Sequence, residues 1–130
     1  MIDEGSVLIA RSLVSVVDDD ESVRESLPDL LREFGYDSKA FASAEEFLAS
    51  DCIAATSCLI LDIALPRMSG PDLQSLLVSR GQAIPVVFIT ARGDDAMRPL
   101  VIARRAVACL SKPFSDTALQ AALTAALHLN

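Results

Sequence analysis

The sequence predicts an α/β domain: a doubly wound, five-stranded parallel sheet with helices on both faces. Three observations carry that prediction. Short apolar runs alternate with segments of helical spacing five times along the chain. Several of the runs are apolar throughout, as suits strands covered on both sides. The length, 130 residues, fits one domain and leaves no room for two.

Residues 12–17 form a β-branched run, read as a buried strand. Residues 21–34 then place Val23, Leu27, Leu30, Leu31 and Phe34 at helical spacing, with Gly35 as the stop. Pro28 falls inside that helix and is expected to kink it, since it removes a backbone bond at a cost of roughly 3 kcal/mol. Residues 37–41 are a weaker second strand. Ser43 and Glu46 form a capping box that opens a short helix around Phe47 and Leu48. Residues 58–61 are a third strand, 63–70 a loop and 71–79 a helix. Residues 85–90 are a fourth strand and 107–111 a fifth. A fourth helix is expected between residues 95 and 105, and an Ala/Leu-rich final helix over 116–127. Right-handed crossovers restrict such a chain to doubly wound topologies. The strand order expected is 2-1-3-4-5, with a core over about 12–127 and an N-terminal extension of residues 1–11.

Composition narrows the function. Hydrophobic residues make up 52%, enough for a real core, and aromatics only 5%, so that core is aliphatic. The net charge of −7 argues against nucleic-acid binding by this domain, which would need clustered Lys and Arg. Cys52, Cys58 and Cys109 make no close-spaced pair, so neither a disulfide framework nor a zinc site is expected. Cys58 and Cys109 lie in apolar runs and read as buried small hydrophobes. Free thiols suit a reducing cytoplasm. No apolar run is long enough to span a membrane, and acids near the N-terminus do not resemble a signal peptide.

Sites in open α/β sheets form beyond the carboxyl ends of the strands. The first strand runs into Asp18, Asp19 and Asp20; the third into Asp62; the fourth ends at Thr90; the fifth runs into Lys112 and Pro113. In the expected order strands 1 and 3 are neighbours, so Asp18, Asp19 and Asp62 converge. Carboxylates so close repel one another. A hard divalent cation relieves the repulsion, and Mg²⁺ is the natural occupant. A cation at Asp62 also makes it a workable phosphoryl acceptor, with Thr90 as hydroxyl donor and Lys112 as point charge. Each residue taken alone has a plainer role: helix cap for the Asp18–Asp20 acids (Asp20 above all), turn residue for Asp62, strand residue for Thr90, solvated charge for Lys112. It is their joint placement at consecutive strand ends that favours a site.

The motifs VVDDDESVR (16–24), LILDIALPRMSG (59–70), FITA (88–91) and SKPF (111–114) resemble the receiver domains of two-component response regulators, with a CheY-like, flavodoxin-like fold. The resemblance spans about residues 13–127. SAEEFL (43–48) and Gly93-Asp94 further resemble FixJ-type receivers. The resemblance implies that Asp62 accepts a phosphoryl group from a histidine kinase, a phosphotransfer protein or a small phosphodonor. It implies Mg²⁺ held by Asp19, Asp62 and the Ala64 backbone carbonyl, with Asp18 acting through a bound water. It implies a cis Lys112–Pro113 bond and output through the face of the fourth helix, fifth strand and final helix, where dimerisation is also common. Ala64 and Arg92 flank the path of the hydrolytic water, and Ala91 is the small neighbour of the threonine. Such a domain is a phospho-acceptor switch rather than an enzyme, acting on a downstream protein or an output domain beyond this chain.

Four positions depart from the family pattern. Cys109 stands where an aromatic switch residue is common, Arg105 where glycine is common, Pro99 falls within the expected fourth helix, and Arg67 replaces a common loop glycine. The fourth helix is therefore expected to be short or displaced, with Arg98, Arg104 and Arg105 a candidate basic partner surface. A phosphorylation-independent docking module is the alternative function. A dehalogenase-type phosphatase is disfavoured because Ala64 stands where its second Asp would be. A nucleotide or flavin site is disfavoured because no GxGxxG or GxxxxGK occurs.

Overall fold

The structure, a computed structural model, describes residues 11–91 and 106–128. Five parallel strands form one sheet in the order β2-β1-β3-β4-β5, as the sequence predicts. They are β1 (Leu13–Val17), β2 (Asp37–Phe41), β3 (Thr56–Asp62), β4 (Val86–Thr90) and β5 (Ala108–Ser111). Among the described residues the helices are α1 (Glu21–Glu33), α2 (Ala44–Ala49), α3 (Gly70–Ser79) and α4 (Asp116–Leu127). The helix expected between 95 and 105 lies outside the described residues, as do Arg92, Arg98, Pro99, Arg104 and Arg105.

The period-2 alternation of each strand sends successive side chains to opposite faces. Along β3, Leu59 and Leu61 join Val17, Phe88, Phe47, Leu73 and Leu77 on the face covered by α2 and α3. Cys58 and Ile60 join Val14, Val16, Ile89, Leu27, Leu31, Leu119 and Leu123 on the face covered by α1 and α4. Both faces of the central strands are thus dry, which is why their sequences are mostly apolar, with buried Ser15 and Thr56 paired to each other. Phe41 and Phe47 meet edge to face at 5.3 Å and tie β2 to α2.

The helix boundaries follow from capping chemistry. Asp20, Ser43, Ser69 and Ser115 each accept a backbone N–H of the following first turn. Gly35, at φ 100°, ends the turn after α1. The helix runs on through Pro28, whose ring is buried. Strand β3 is longer than predicted, beginning at Thr56. A buried threonine is tolerated there because its hydroxyl donates to the Cys52 carbonyl at 2.7 Å and lies 2.7 Å from Ser15 Oγ. Cys109 corrects another expectation. It is half-buried, because β5 pairs on one side only, with β4. Cys58, on central β3, is fully buried as predicted, and burial pushes its thiol up to about 12.

Candidate functional site

The register of the sheet assembles the site. Val17 of β1 lies opposite Leu61 of β3, so the next residues, Asp18 and Asp62, leave neighbouring strands side by side. The Asp18 N–H donates to the Phe41 carbonyl at 3.0 Å and keeps the chain extended one residue past β1. Asp62 is paired with Ile89, so Thr90 stands one position further along β4. Thr90 is in turn paired with Ser111, and the Lys112 N–H donates to the Thr90 carbonyl at 2.7 Å. The Lys112–Pro113 peptide bond is cis.

Side chains of Asp18, Asp19 and Asp62 offer oxygens that all lie within 4.8 Å of one another. Asp18 and Asp62 are buried and Asp19 is exposed. Asp18 Oδ1 accepts the Asp20 N–H at 2.9 Å, and Asp62 Oδ1 accepts the Ala64 N–H at 3.1 Å. The other two oxygens face the lysine: Lys112 Nζ is 2.8 Å from Asp18 Oδ2 and 3.7 Å from Asp62 Oδ2. Asp18 Oδ2 has no well-angled hydrogen bond among the described residues, so its contact with Lys112 is ionic. The Thr90 hydroxyl is fully buried and also finds no partner among them.

Electrostatics follow from the crowding. Burial first, then the Asp18 charge, pushes the Asp62 carboxyl up to about 6, against the pull of the Ala64 N–H and Lys112. Burial lowers the Lys112 ammonium, but Asp18 and Asp62 outweigh it and hold it above its ordinary value. Asp20 is held below the usual carboxylate range by the Ser22 hydroxyl and N–H, as its capping role requires. The donor set is all oxygen, clustered, and under-neutralised by one lysine. It fits a hard divalent cation. A nucleophilic carboxylate, an ammonium and an unpaired hydroxyl within the same strand ends are also what an anionic group arriving at Asp62 would need.

Several residues gained meaning only from the structure. Gly70, at the start of α3, donates its N–H to the Ile63 carbonyl at 3.0 Å. A Cβ there would overlap the Asp62 carbonyl oxygen and lie 3.0 Å from Ile63 Cα. Its position at the end of the LILDIALPRMSG run was the available signal. Arg24 donates from α1 to the Asp18 carbonyl at 3.0 Å and supports the acidic turn. Its place at the end of the VVDDDESVR run was the available signal. Ala64 and Ala91 are exposed beside the site. A cleft of about 280 Å³ lined by Ile53, Ala54, Leu77 and Arg80 includes none of the three carboxylates.

A doubly wound sheet carrying acids, a hydroxyl and a lysine at its strand ends defines a signalling receiver in class. The family model for the response regulator receiver domain matches residues 14–124, and the chain belongs to that family. Nodulation protein W of Bradyrhizobium diazoefficiens is 45% identical over 116 residues, covering 89% of this chain and 51% of the relative. The transcriptional regulatory protein FixJ of Azorhizobium caulinodans is 36% identical over 114 residues, covering 88% of this chain and 54% of FixJ. The chain thus spans about half the length of these curated relatives. Among solved structures, the response regulator StyR superposes with a TM-score of 0.84 at 43% identity, over 93% of this chain and 61% of StyR. FixJ-N superposes with a TM-score of 0.82 at 35% identity, over 94% of this chain and 98% of that chain. The chain is accordingly a receiver of the two-component kind, a signalling switch. Among the described residues no helix is long and apolar enough to cross a membrane.

Proposed function

We propose that this receiver takes a phosphoryl group onto Asp62 in a Mg²⁺-dependent reaction and changes its surface in response. The observation that carries the reading is the convergence of Asp18, Asp19 and Asp62 within 4.8 Å beside Lys112 and a Thr90 hydroxyl without a partner among the described residues. Asp19, Asp62 and the Ala64 carbonyl would hold Mg²⁺, with Asp18 reaching it through water. Bound there, the ion would neutralise the acids and the transferring oxygens. The Asp62 carboxylate attacks phosphorus. The bond from phosphorus to the donor's nitrogen or oxygen breaks, and the leaving group keeps the electron pair. Lys112, 3.7 Å from Asp62 Oδ2, pairs with one phosphoryl oxygen. The Thr90 hydroxyl, buried with nothing to bond among the described residues, donates to another. That new bond pulls on β4 and, through the Lys112 N–H, on β5.

The donor is a histidine kinase or a phosphotransfer protein in the cytoplasm. The output is a downstream protein or an output domain, and a homodimer through the face of the expected fourth helix, β5 and α4 is compatible with it. Residues 1–130 act as a single receiver unit, with Ala64 and Arg92 tuning hydrolysis, Ala91 the small neighbour of Thr90, and Cys109 altering the usual aromatic step. The second reading, a docking module that works without phosphorylation, draws on the absence of an aromatic at Cys109 of β5. Treatment with a small acyl phosphate, with and without Mg²⁺, separates the two. The proposal expects a Mg²⁺-dependent mass gain on the wild type and none on Asp62→Asn. No gain under any condition would hand the function to the docking reading.

A further inference from the structure

The loop from β3 to α3, residues 63–69, carries Ala64 and leads away from Asp62. At its base the Gly70 N–H closes onto the Ile63 carbonyl at 3.0 Å. At its tip Arg67 sits at φ 64°, the left-handed region that favours glycine; a side chain there is strained. Strain at a functional loop persists only where surrounding contacts hold it. Ile63 and Leu65 anchor the loop in the core, and a further contact comes from another element. The Arg67 guanidinium lies 3.5 Å from Glu45 Oε1, in the first turn of α2. That one oxygen is shielded from water, although the two side chains are largely exposed, Arg67 at 68% and Glu45 at 41%. The Glu45 N–H first, then the Arg67 charge and the Met68 N–H, hold the Glu45 carboxyl below its usual range. Helix α2 is itself fixed, by the Ser43 cap and by Phe47 in the core.

We propose that Glu45 and Arg67 form a latch that holds the acceptor loop in the geometry needed at Asp62 and Ala64, in place of the glycine its backbone asks for. Glu45 is then a positioning residue, acting on the site only through Arg67. The inference rests on the Mg²⁺-dependent reading of the site, and its consequences are distinctive. Removing the carboxylate loosens a strained loop, whereas a glycine at position 67 adopts the same φ without help. The latch thus matters in the native background and becomes dispensable once Arg67 is replaced by glycine.

The test is a double-mutant cycle of Glu45→Gln and Arg67→Gly, with two readouts: Mg²⁺ affinity by titration, and amide hydrogen exchange over residues 64–68 in metal-free protein. Glu45→Gln alone is expected to weaken Mg²⁺ binding about 3-fold, an exposed-pair effect of ordinary size, and to speed exchange of the loop. In the Arg67→Gly background the same change is expected to alter neither. Equal effects in both backgrounds, or none in either, overturn the latch. If wild type shows no Mg²⁺ response, the functional reading fails separately, and exchange alone decides the latch: faster exchange in Glu45→Gln supports it and unchanged exchange overturns it.

Discussion

Replacing Asp62 by Asn is expected to stabilise the metal-free domain at neutral pH. In the native fold the Asp62 carboxyl is raised from 3.8 to about 6 by burial and by Asp18. At about 1.36 kcal/mol per unit, that shift corresponds to roughly 3 kcal/mol of penalty for the ionised form. The carboxylate sits at the strand ends beside exposed Asp19, and with the Ala64 N–H and Lys112 offsetting part of its burial about 1–2 kcal/mol is the expected net effect. The native value is the raised one, so the favourable contribution is fully present below about pH 3.8 and is lost as pH rises through about 6. Ionised Asp62 therefore destabilises the fold at pH 7.5, and Asp62→Asn, nearly isosteric, removes that burden. Urea unfolding in the presence of a chelator measures it directly. The gap between variant and wild type narrows as pH is lowered from 7.5 to 5. Adding Mg²⁺ raises the wild type and leaves the variant nearly unchanged. A variant less stable than wild type at pH 7.5, or a gap that widens on acidification, would refute the electrostatic account of the site.

Gly70→Ala forces a methyl group against the Asp62 carbonyl; a loss of about 1–3 kcal/mol in urea unfolding is expected, together with a weakened Mg²⁺ response. Thr90→Val removes a buried hydroxyl that has no partner among the described residues. It is expected to keep or raise stability by up to about 1 kcal/mol, while abolishing the phosphoryl-induced amide shifts along β5. Cys58, buried and with its thiol pushed up to about 12, is expected to resist a thiol reagent at pH 8 in the native protein, while half-buried Cys109 reacts first; equal native rates would contradict the packing described for β3 and β5.

Period and composition made the architecture legible. Unbroken apolar runs at residues 58–61 and 85–89 mark strands covered on both faces, and such strands leave a parallel, doubly wound sheet as the consistent solution. The acids, threonine and lysine were legible as a site because a parallel sheet delivers every strand's carboxyl end to one edge. What sequence concealed depends on contacts between distant segments. The early start of β3 rests on the Thr56 hydroxyl meeting Cys52 and Ser15. Partial exposure of Cys109 follows from β5 lying at the sheet edge, a place the expected strand order already gave it, whereas its apolar neighbours Ala108 and Leu110 suggested full burial. The roles of Arg24 and Glu45 arise from approaches across elements. Arg67 was visible as a departure from a glycine, but only its φ of 64° turns the departure into strain.

The central claim is that Asp62 is the phosphoryl acceptor. It is tested most directly by exposing the full chain to an acyl phosphate and Mg²⁺, reducing the product with borohydride, and sequencing the peptide that spans residue 62 by mass spectrometry. An aspartyl phosphate is reduced to homoserine. Homoserine is expected at position 62 only when Mg²⁺ is present, and is expected to be lost in Lys112→Met. Homoserine at Asp18 or Asp19 instead, or none anywhere after full treatment, would contradict it.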